Sequence, residues 1–289
     1  MIRELKDKNL YYVGGVVRDE LLGAGSFDTD FCYEGDAIKF AEENFKENII
    51  KTNPDFGTVR IEIDGKEIDI ASTREESYPQ KGHLPRVYNI GCPLFDDLKR
   101  RDFTINSMAK NTLTGEIIDP YNGKGDIEKK QIRVLHSKSF IDDPTRIVRA
   151  LKFSVRFGFE LETATLKLQK EYLDNINYDM SYHRLKKELV ETFNLNRAEA
   201  FDIFVREKIY KLLGENQKAP IIEGKVIQKT VSGTPCEPWI IYLGMFNLEK
   251  LPLTRYEKRI VDWAKKLETE PATNNTPPES LLLHKLIRT

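Results

Sequence analysis

Two aspartates one residue apart, Asp28 and Asp30 in FDTD, are the first side chains in this sequence whose spacing suggests chemistry. Along a strand, side chains two apart project from one face, so both carboxylates point the same way with Thr29 turned aside. Two like charges at that separation repel unless a cation lies between them. Hard divalent ions with oxygen ligands, Mg²⁺ above all, suit such a pair. A third oxygen ligand is available at Asp69 in EIDIA, where Glu67 and Asp69 share one face and Ile68 and Ile70 the other. Three such carboxylates can hold two metal ions ~3.5–4 Å apart, as in-line phosphoryl transfer requires. Just ahead of them, Gly14-Gly15 precedes a helical stretch, where backbone N–H groups and the helix start favour an anion. Arg18, in the first turn of that stretch, is near enough to pair with a phosphate. A glycine pair or an Asp-x-Asp alone reads as a common surface turn. Together, with a later strand carboxylate, they read as a metal and phosphate site.

Such a site needs a sheet to position it, and the first part of the chain supplies the pattern of one. Leu10 to Val13 reads as a short apolar strand, Val16 to Leu22 as a helix ending at Gly23, and Phe27 to Cys32 as an alternating strand. Ala37 to Asn44 has helical spacing, and Thr58 to Ile63 with Glu67 to Ala71 reads as a hairpin turning at Asp64-Gly65. Tyr78 to Pro93, punctuated by Pro79, Gly82, Pro85 and Gly91, reads as a long loop, either a lid or a solvated connection. Asp119-Pro120 with Gly123 and Gly125 makes a turn-rich connection, and the first domain is placed at residues 1–127. Beyond it the period is helical: Pro144 to Arg156, Thr163 to Asn175, His183 to Asn194, Ala198 to Leu213 and Tyr256 to Leu267. These fall into a helical neck at residues 128–215 and a short helical body at 216–289, with a polar, proline-containing linker from Glu270 to Ser280 before a last apolar helix.

Composition narrows the function classes. The chain has 289 residues, 40% of them hydrophobic and 31% charged, as in a soluble globular protein of two or three domains. The best apolar run, Trp239 to Phe246, falls far short of the ~18 residues of a membrane span. Cys32, Cys92 and Cys236 lie far apart, which indicates neither a disulfide framework nor a zinc site. Cys32 reads as a core residue of its strand. MIRELKDKNL lacks a signal-peptide core, and the expected location is a reducing cytoplasm. The net charge of −1 conceals a division: Asp28 to Glu76 carries −8, and Lys129 to Arg156 carries +6. Either block alone reads as solvated surface, but an acidic block able to hold cations followed by a basic one able to hold phosphates keeps a nucleic-acid partner open.

GGVVRDELLG followed by FDTD resembles the head motif of the nucleotidyltransferase superfamily. Within it the chain is similar to the bacterial-type (class II) tRNA nucleotidyltransferase and poly(A) polymerase family, closest to CCA-adding enzymes. DLKRRDFTINSMA, Asp97 to Ala109, resembles that family's RRDFTxNA motif, and DPYNGKGDI, Asp119 to Ile127, its head–neck hinge. The resemblance implies an α+β fold: a polymerase β-like nucleotidyltransferase head with a mixed sheet, then all-helical neck and body domains. It also implies transfer of C and A from CTP and ATP to the 3′ end of a tRNA, with Asp28, Asp30 and Asp69 catalytic and metal-binding. Gly14, Gly15, Arg18 and Arg101 would then bind the nucleotide. A poly(A) polymerase and a partial CC- or A-adding enzyme share the motifs, and an inactive RNA-binding protein that kept the fold is the alternative of another class.

SFIDDPTRIVRALKF, Ser139 to Phe153, puts Asp143, Arg146 and Arg149 on one helical face. That spacing alone equally suits a capping aspartate with surface pairs, on a face turned away from the core. In the family it resembles the EDxxR template for the incoming base. Cytosine and adenine present an amino donor beside a ring-nitrogen acceptor, which a carboxylate and a guanidinium complement; guanine and uracil present the opposite pattern. Here Asp142 stands for the motif's glutamate, and Lys152 for a further nucleotide-binding arginine, which removes the planar fork at that position. Only seventy-five residues follow Gly214, fewer than the body and tail helices of bacterial relatives imply.

Overall fold

The structure is a computed structural model that describes residues 5–25 and 30–288. The chain divides into two compact units, the first comprising Met1–Gln80, Leu84–Ser139 and Glu160–Thr165, the second Lys81–His83, Phe140–Phe159 and Leu166–Thr289. Residues 128–139, expected to open the neck, group with the first unit. There β10 (Gln131–Ile132) pairs in parallel with β11 (Glu160–Leu161).

The first unit is built on strands β1 (Leu10–Val13), β2 (Asp30–Tyr33), β3 (Ile49–Asn53), β4 (Thr58–Ile63), β5 (Lys66–Ser72), β8 (Ala109–Asn111) and β9 (Ile117–Ile118), in the order β3-β4-β5-β2-β1-β8-β9. The β2–β5 pair is parallel and the other neighbours are antiparallel, which makes the mixed sheet expected from the sequence. Period-two alternation decides which side chains go where. Phe31, Val59, Ile61, Ile68 and Ile70 pack against Phe40 and Ala41 of helix α2 (Ala37–Asn44). Glu67 and Asp69 stay exposed on the opposite face. On that face Val13, Cys32 and Ala109 pack with Leu94 and Leu98 of α3 (Leu94–Lys99). Burial drives the Cys32 thiol far above its ordinary range, so it is a packing residue and not a nucleophile.

Several short elements depart from the sequence expectation. Tyr78–Pro93 is not a loop throughout, because β7 (Arg86–Ile90) pairs antiparallel with β6 (Arg74–Ser77) in a separate two-stranded sheet. Neither strand has a buried apolar face, so no alternation announces them. The strands β3, β8 and β9 are short, polar or both, and escape notice for the same reason. The turn-rich connection after Asp119 contains helix α4 (Gly123–Glu128), whose start is closed by Asp119: its carboxylate accepts from the Gly123 and Lys124 N–H groups at 2.7 and 2.9 Å. A Cβ at Gly123 would sit inside the van der Waals shell of the Thr104 carbonyl oxygen. Gly123→Ala is therefore expected to cost about 1–3 kcal/mol, read as a lowered denaturant midpoint at unchanged slope.

The second unit is helical. Besides α1 (Gly15–Leu21) of the first unit, the chain carries α5 (Ser139–Asp142), α6 (Thr145–Phe157), α7 (Thr163–Asp174), α8 (Tyr182–Phe193), α9 (Ala198–Arg206), α10 (Gly224–Val231), α11 (Pro238–Leu243), α12 (Arg255–Lys266) and α13 (Pro278–Ile287). The expected single helix from Ala198 to Leu213 is interrupted. Lys208 adopts φ 59°, and a 3₁₀ turn over Ile209–Leu213 follows, burying Ile209, Leu212 and Leu213. Phe193, Phe201, Phe204, Tyr242 and Phe246 form the aromatic centre of this unit, with neighbouring ring centroids 5.2–6.2 Å apart. Thr254 and Glu257 cap α12 reciprocally. Among the described residues no helix is long and apolar enough to cross a membrane.

Candidate active site

The sheet brings Asp30 and Asp69 together. They are direct cross-strand partners in the parallel β2–β5 pair, so their carboxylates leave the same face of the sheet. Both line an open cleft of about 450 Å³ with Cys32, Arg60 and Arg101. Asp28 lies outside the described residues. Among the described residues no group of three or more His, Cys, Asp or Glu side chains is gathered as a metal cluster. The described donors are two hard-oxygen carboxylates, a set that fits a divalent ion such as Mg²⁺ and not a soft metal.

Asp69 already has a cationic partner. Arg60, its cross-strand partner on β4, donates from Nε to Oδ1 at 2.7 Å and from Nη2 to Oδ2 at 2.8 Å, while Nη1 reaches Glu67 at 2.9 Å. Arg60 is absent from the site residues expected from the sequence. Its signal is nevertheless there, since Arg60 sits opposite Asp69 in the hairpin once the turn is placed at Asp64-Gly65.

Behind the carboxylates, β1 runs into Gly14, which caps α1 with φ 64°. An L side chain is strained at that φ, and a Cβ there would lie 3.1 Å from Arg101 Nη1. A Cβ at Gly15 would lie 3.3 Å from Arg18 Nη2. Arg18 itself is buried at 4% exposure. Its Nε donates to Asp19 at 2.8 Å, and its Nη1 donates to Asn106 Oδ1 at 2.5 Å. Asn106 in turn donates to Asp102 at 2.9 Å. The RRDFTIN stretch thus fixes the GGVVRD stretch from beneath. Arg101 donates from Nη2 to Asp97 at 2.9 Å and keeps a buried Nε without a hydrogen-bond partner. Asp97, fully buried, also accepts from Arg100 Nε and Nη2 at 3.0 and 2.8 Å and from the Arg74 N–H at 3.1 Å. Burial alone would raise the Asp97 carboxyl, but Arg101 and Arg100 hold it below its ordinary value.

In the second unit, the charged face of α6 corrects one expectation. The stripe is not turned away from the core: Asp143 and Arg146 are each only 4% exposed. Asp143 Oδ1 accepts from the Thr145 N–H at 3.1 Å and hydroxyl at 2.6 Å, and Oδ2 accepts from Arg184 of α8. Arg149 pairs with Glu188 at 3.1 Å, and Lys152 with Glu188 and Glu191 at 2.7 and 2.6 Å. The face is buried because α8 answers it with its own charges, which spacing within α6 could not reveal. In the same unit, Lys81 pairs with Asp142 at 2.6 Å, and Arg184 also donates to the His83 carbonyl at 3.1 Å.

Known proteins resemble this chain over most of its length. Residues 10–133 match the poly(A) polymerase head domain. The chain is 39% identical over 231 residues to an A-adding tRNA nucleotidyltransferase of Aquifex aeolicus, covering 76% of this chain and 27% of the relative. It is also 39% identical over 191 residues to an A-adding tRNA nucleotidyltransferase of Halalkalibacterium halodurans, covering 62% of this chain and 44% of the relative. It therefore spans less than half the length of these relatives. Among solved structures, that of a CCA-adding enzyme in an apo form superposes with a TM-score of 0.79 at 26% identity, over 97% of this chain and 75% of the other. The chain thus carries a poly(A) polymerase head domain over residues 10–133 and is similar over most of its own length to bacterial-type tRNA nucleotidyltransferases.

Proposed function

We propose that this protein is a tRNA nucleotidyltransferase that extends the tRNA 3′ end from ATP, CTP or both, with release of pyrophosphate. The observation that carries the reading is the cross-strand pairing of Asp30 with Asp69 in a cleft shared with Arg101. Asp28, Asp30 and Asp69 would hold a divalent cation, proposed to be Mg²⁺. When bound, it supplies charge neutralisation to the triphosphate and lowers the pKa of the attacking hydroxyl. Asp69 accepts the hydrogen bond of the 3′-hydroxyl and orients it for in-line attack. The 3′-oxygen bonds to the α-phosphorus, its proton passing to Asp69, as the bond from that phosphorus to the pyrophosphate oxygen breaks. Gly15, Arg18 and Arg101, beside Gly14, hold the triphosphate. Asp143 and Arg146 select the base, and Arg149 and Lys152, both paired with Glu188, bind the nucleotide with them. A neutral or mismatched partner at so buried a pair leaves polar groups unpaired at ~1–3 kcal/mol each.

The names of the relatives favour addition of a terminal A; the likeness to a CCA-adding enzyme along nearly the whole chain favours the full triplet as a second reading. The test uses purified protein, Mg²⁺ and three tRNAs: one lacking CCA, one ending in C, and one ending in CC. Each receives CTP, ATP, GTP or UTP, with product length read to the nucleotide. The expected result is one A on the CC-ended tRNA and no use of GTP or UTP. Added C residues select the second reading, and long A tails a poly(A) polymerase. No addition to any acceptor overturns the reading and leaves an RNA-binding protein on this fold.

A further inference from the structure

The sheet continues the carboxylate row in the other direction with positive charge. Across four neighbouring strands, register aligns Lys51 of β3 with Arg60 of β4, Arg60 with Asp69 of β5, and Asp69 with Asp30 of β2. Cross-strand partners share a face, so two cations stand in line with two carboxylates. All four side chains line the same cleft. Lys51 is exposed and has no ion-pair partner among the described residues. Arg60 is oriented by Asp69 and Glu67.

We propose that Lys51 and Arg60 form a phosphodiester site for the acceptor strand, holding the backbone of the RNA 3′ end so that its terminal hydroxyl falls at Asp69. The inference rests on the nucleotidyl-transfer reading and extends it. The order of strands separates the two sides of the carboxylates. The carboxylates sit on β2 and β5. On one side of them lies β1, leading to Gly14, Gly15 and Arg101, the groups that suit a triphosphate. On the other side lie β4 and β3, with Arg60 and Lys51. In-line displacement puts the attacking hydroxyl and the leaving pyrophosphate on opposite sides of the α-phosphorus. If the triphosphate occupies the β1 side, the acceptor enters over β3 and β4, where the row offers one lysine and one guanidinium for its phosphates.

A Lys51→Ala variant tests this without touching the carboxylates. Binding of a tRNA ending in CC is followed by fluorescence anisotropy from about 50 to 200 mM salt, and the KM for ATP is measured alongside. Removing one phosphate contact to single-stranded RNA is expected to weaken binding several-fold at low salt and to reduce the log–log salt slope by about 0.7. The KM for ATP stays within about twofold, and Lys51→Arg restores both affinity and slope. A raised KM for ATP with unchanged RNA binding overturns the proposal by assigning the cations to the nucleotide. Unchanged binding, slope and KM overturn it as well, while transfer by the wild-type protein leaves the proposed function standing. A wild-type protein that neither binds tRNA nor adds a nucleotide overturns both.

Discussion

Asparagine in place of Asp30 or Asp69 is expected to lower single-turnover nucleotide addition by about three orders of magnitude or more, with little change in stability. The rate follows from the chemistry proposed for the cleft. Charge development at the α-phosphorus would be met there by the cation proposed to sit on these carboxylates, and losing ~4 kcal/mol of that stabilisation is a factor of ~10³. Stability is another matter, because the Asp69 side chain is 56% exposed and its partner Arg60 43% exposed. Exposed pairs contribute ~0–1 kcal/mol even with good geometry, so Asp69→Asn should shift the denaturant midpoint very little. The check is addition of one A to a CC-ended tRNA, measured with a urea titration of the same preparation. An Asp69→Asn variant that keeps more than about a tenth of the rate would mean that Asp69 serves only the Arg60 pair, since a lost ligand charge costs far more than that.

The parts of this site written in the sequence are those that period and spacing encode. Asp30 and Asp69 point outward because Phe31, Ile68 and Ile70 point inward, and that alternation is plain in the order of the residues alone. Gly14 declares itself by chemistry, since its backbone conformation and its closeness to Arg101 both exclude a side chain. What is not legible depends on partners distant in sequence. Asp143 and Arg146 look like a surface stripe until α8 is packed over them, because Arg184 and Glu188 lie some forty residues on. Arg60 becomes part of the site only through strand register. The β6–β7 hairpin has no apolar face to betray it. Asp97 reads only as the first letter of a motif, with no hint that it holds two arginines from within the core.

That hidden role makes Asp97 a residue whose loss should cost the fold heavily. Its side chain is fully buried and receives Arg100 at 3.0 and 2.8 Å, Arg101 at 2.9 Å and the Arg74 N–H at 3.1 Å. Alanine there would take the counter-charge from Arg101 and leave Arg100 its pair with Glu76, at 3.0 Å, and breaking a buried pair from one side costs about 3–5 kcal/mol. The same substitution frees Arg101 beside Gly14, so the KM for ATP should rise together with the loss of stability. Asparagine keeps the shape but removes the charge and turns one acceptor oxygen into an N–H donor, and because it does not titrate, comparison with it exposes the pH dependence. Because the folded carboxyl titrates below its ordinary value, its stabilisation is complete above the unfolded pKa of ~3.9 and fades as pH falls through the lower folded value. The gap in denaturant midpoint between wild type and Asp97→Asn should therefore be constant from neutral pH down to ~5 and narrow only below ~4. A gap that stays constant through that acid range would mean that packing, and not the paired charge, is what Asp97 contributes. Arg101 would then owe its place beside the glycine turn to the surrounding RRDFTIN backbone alone.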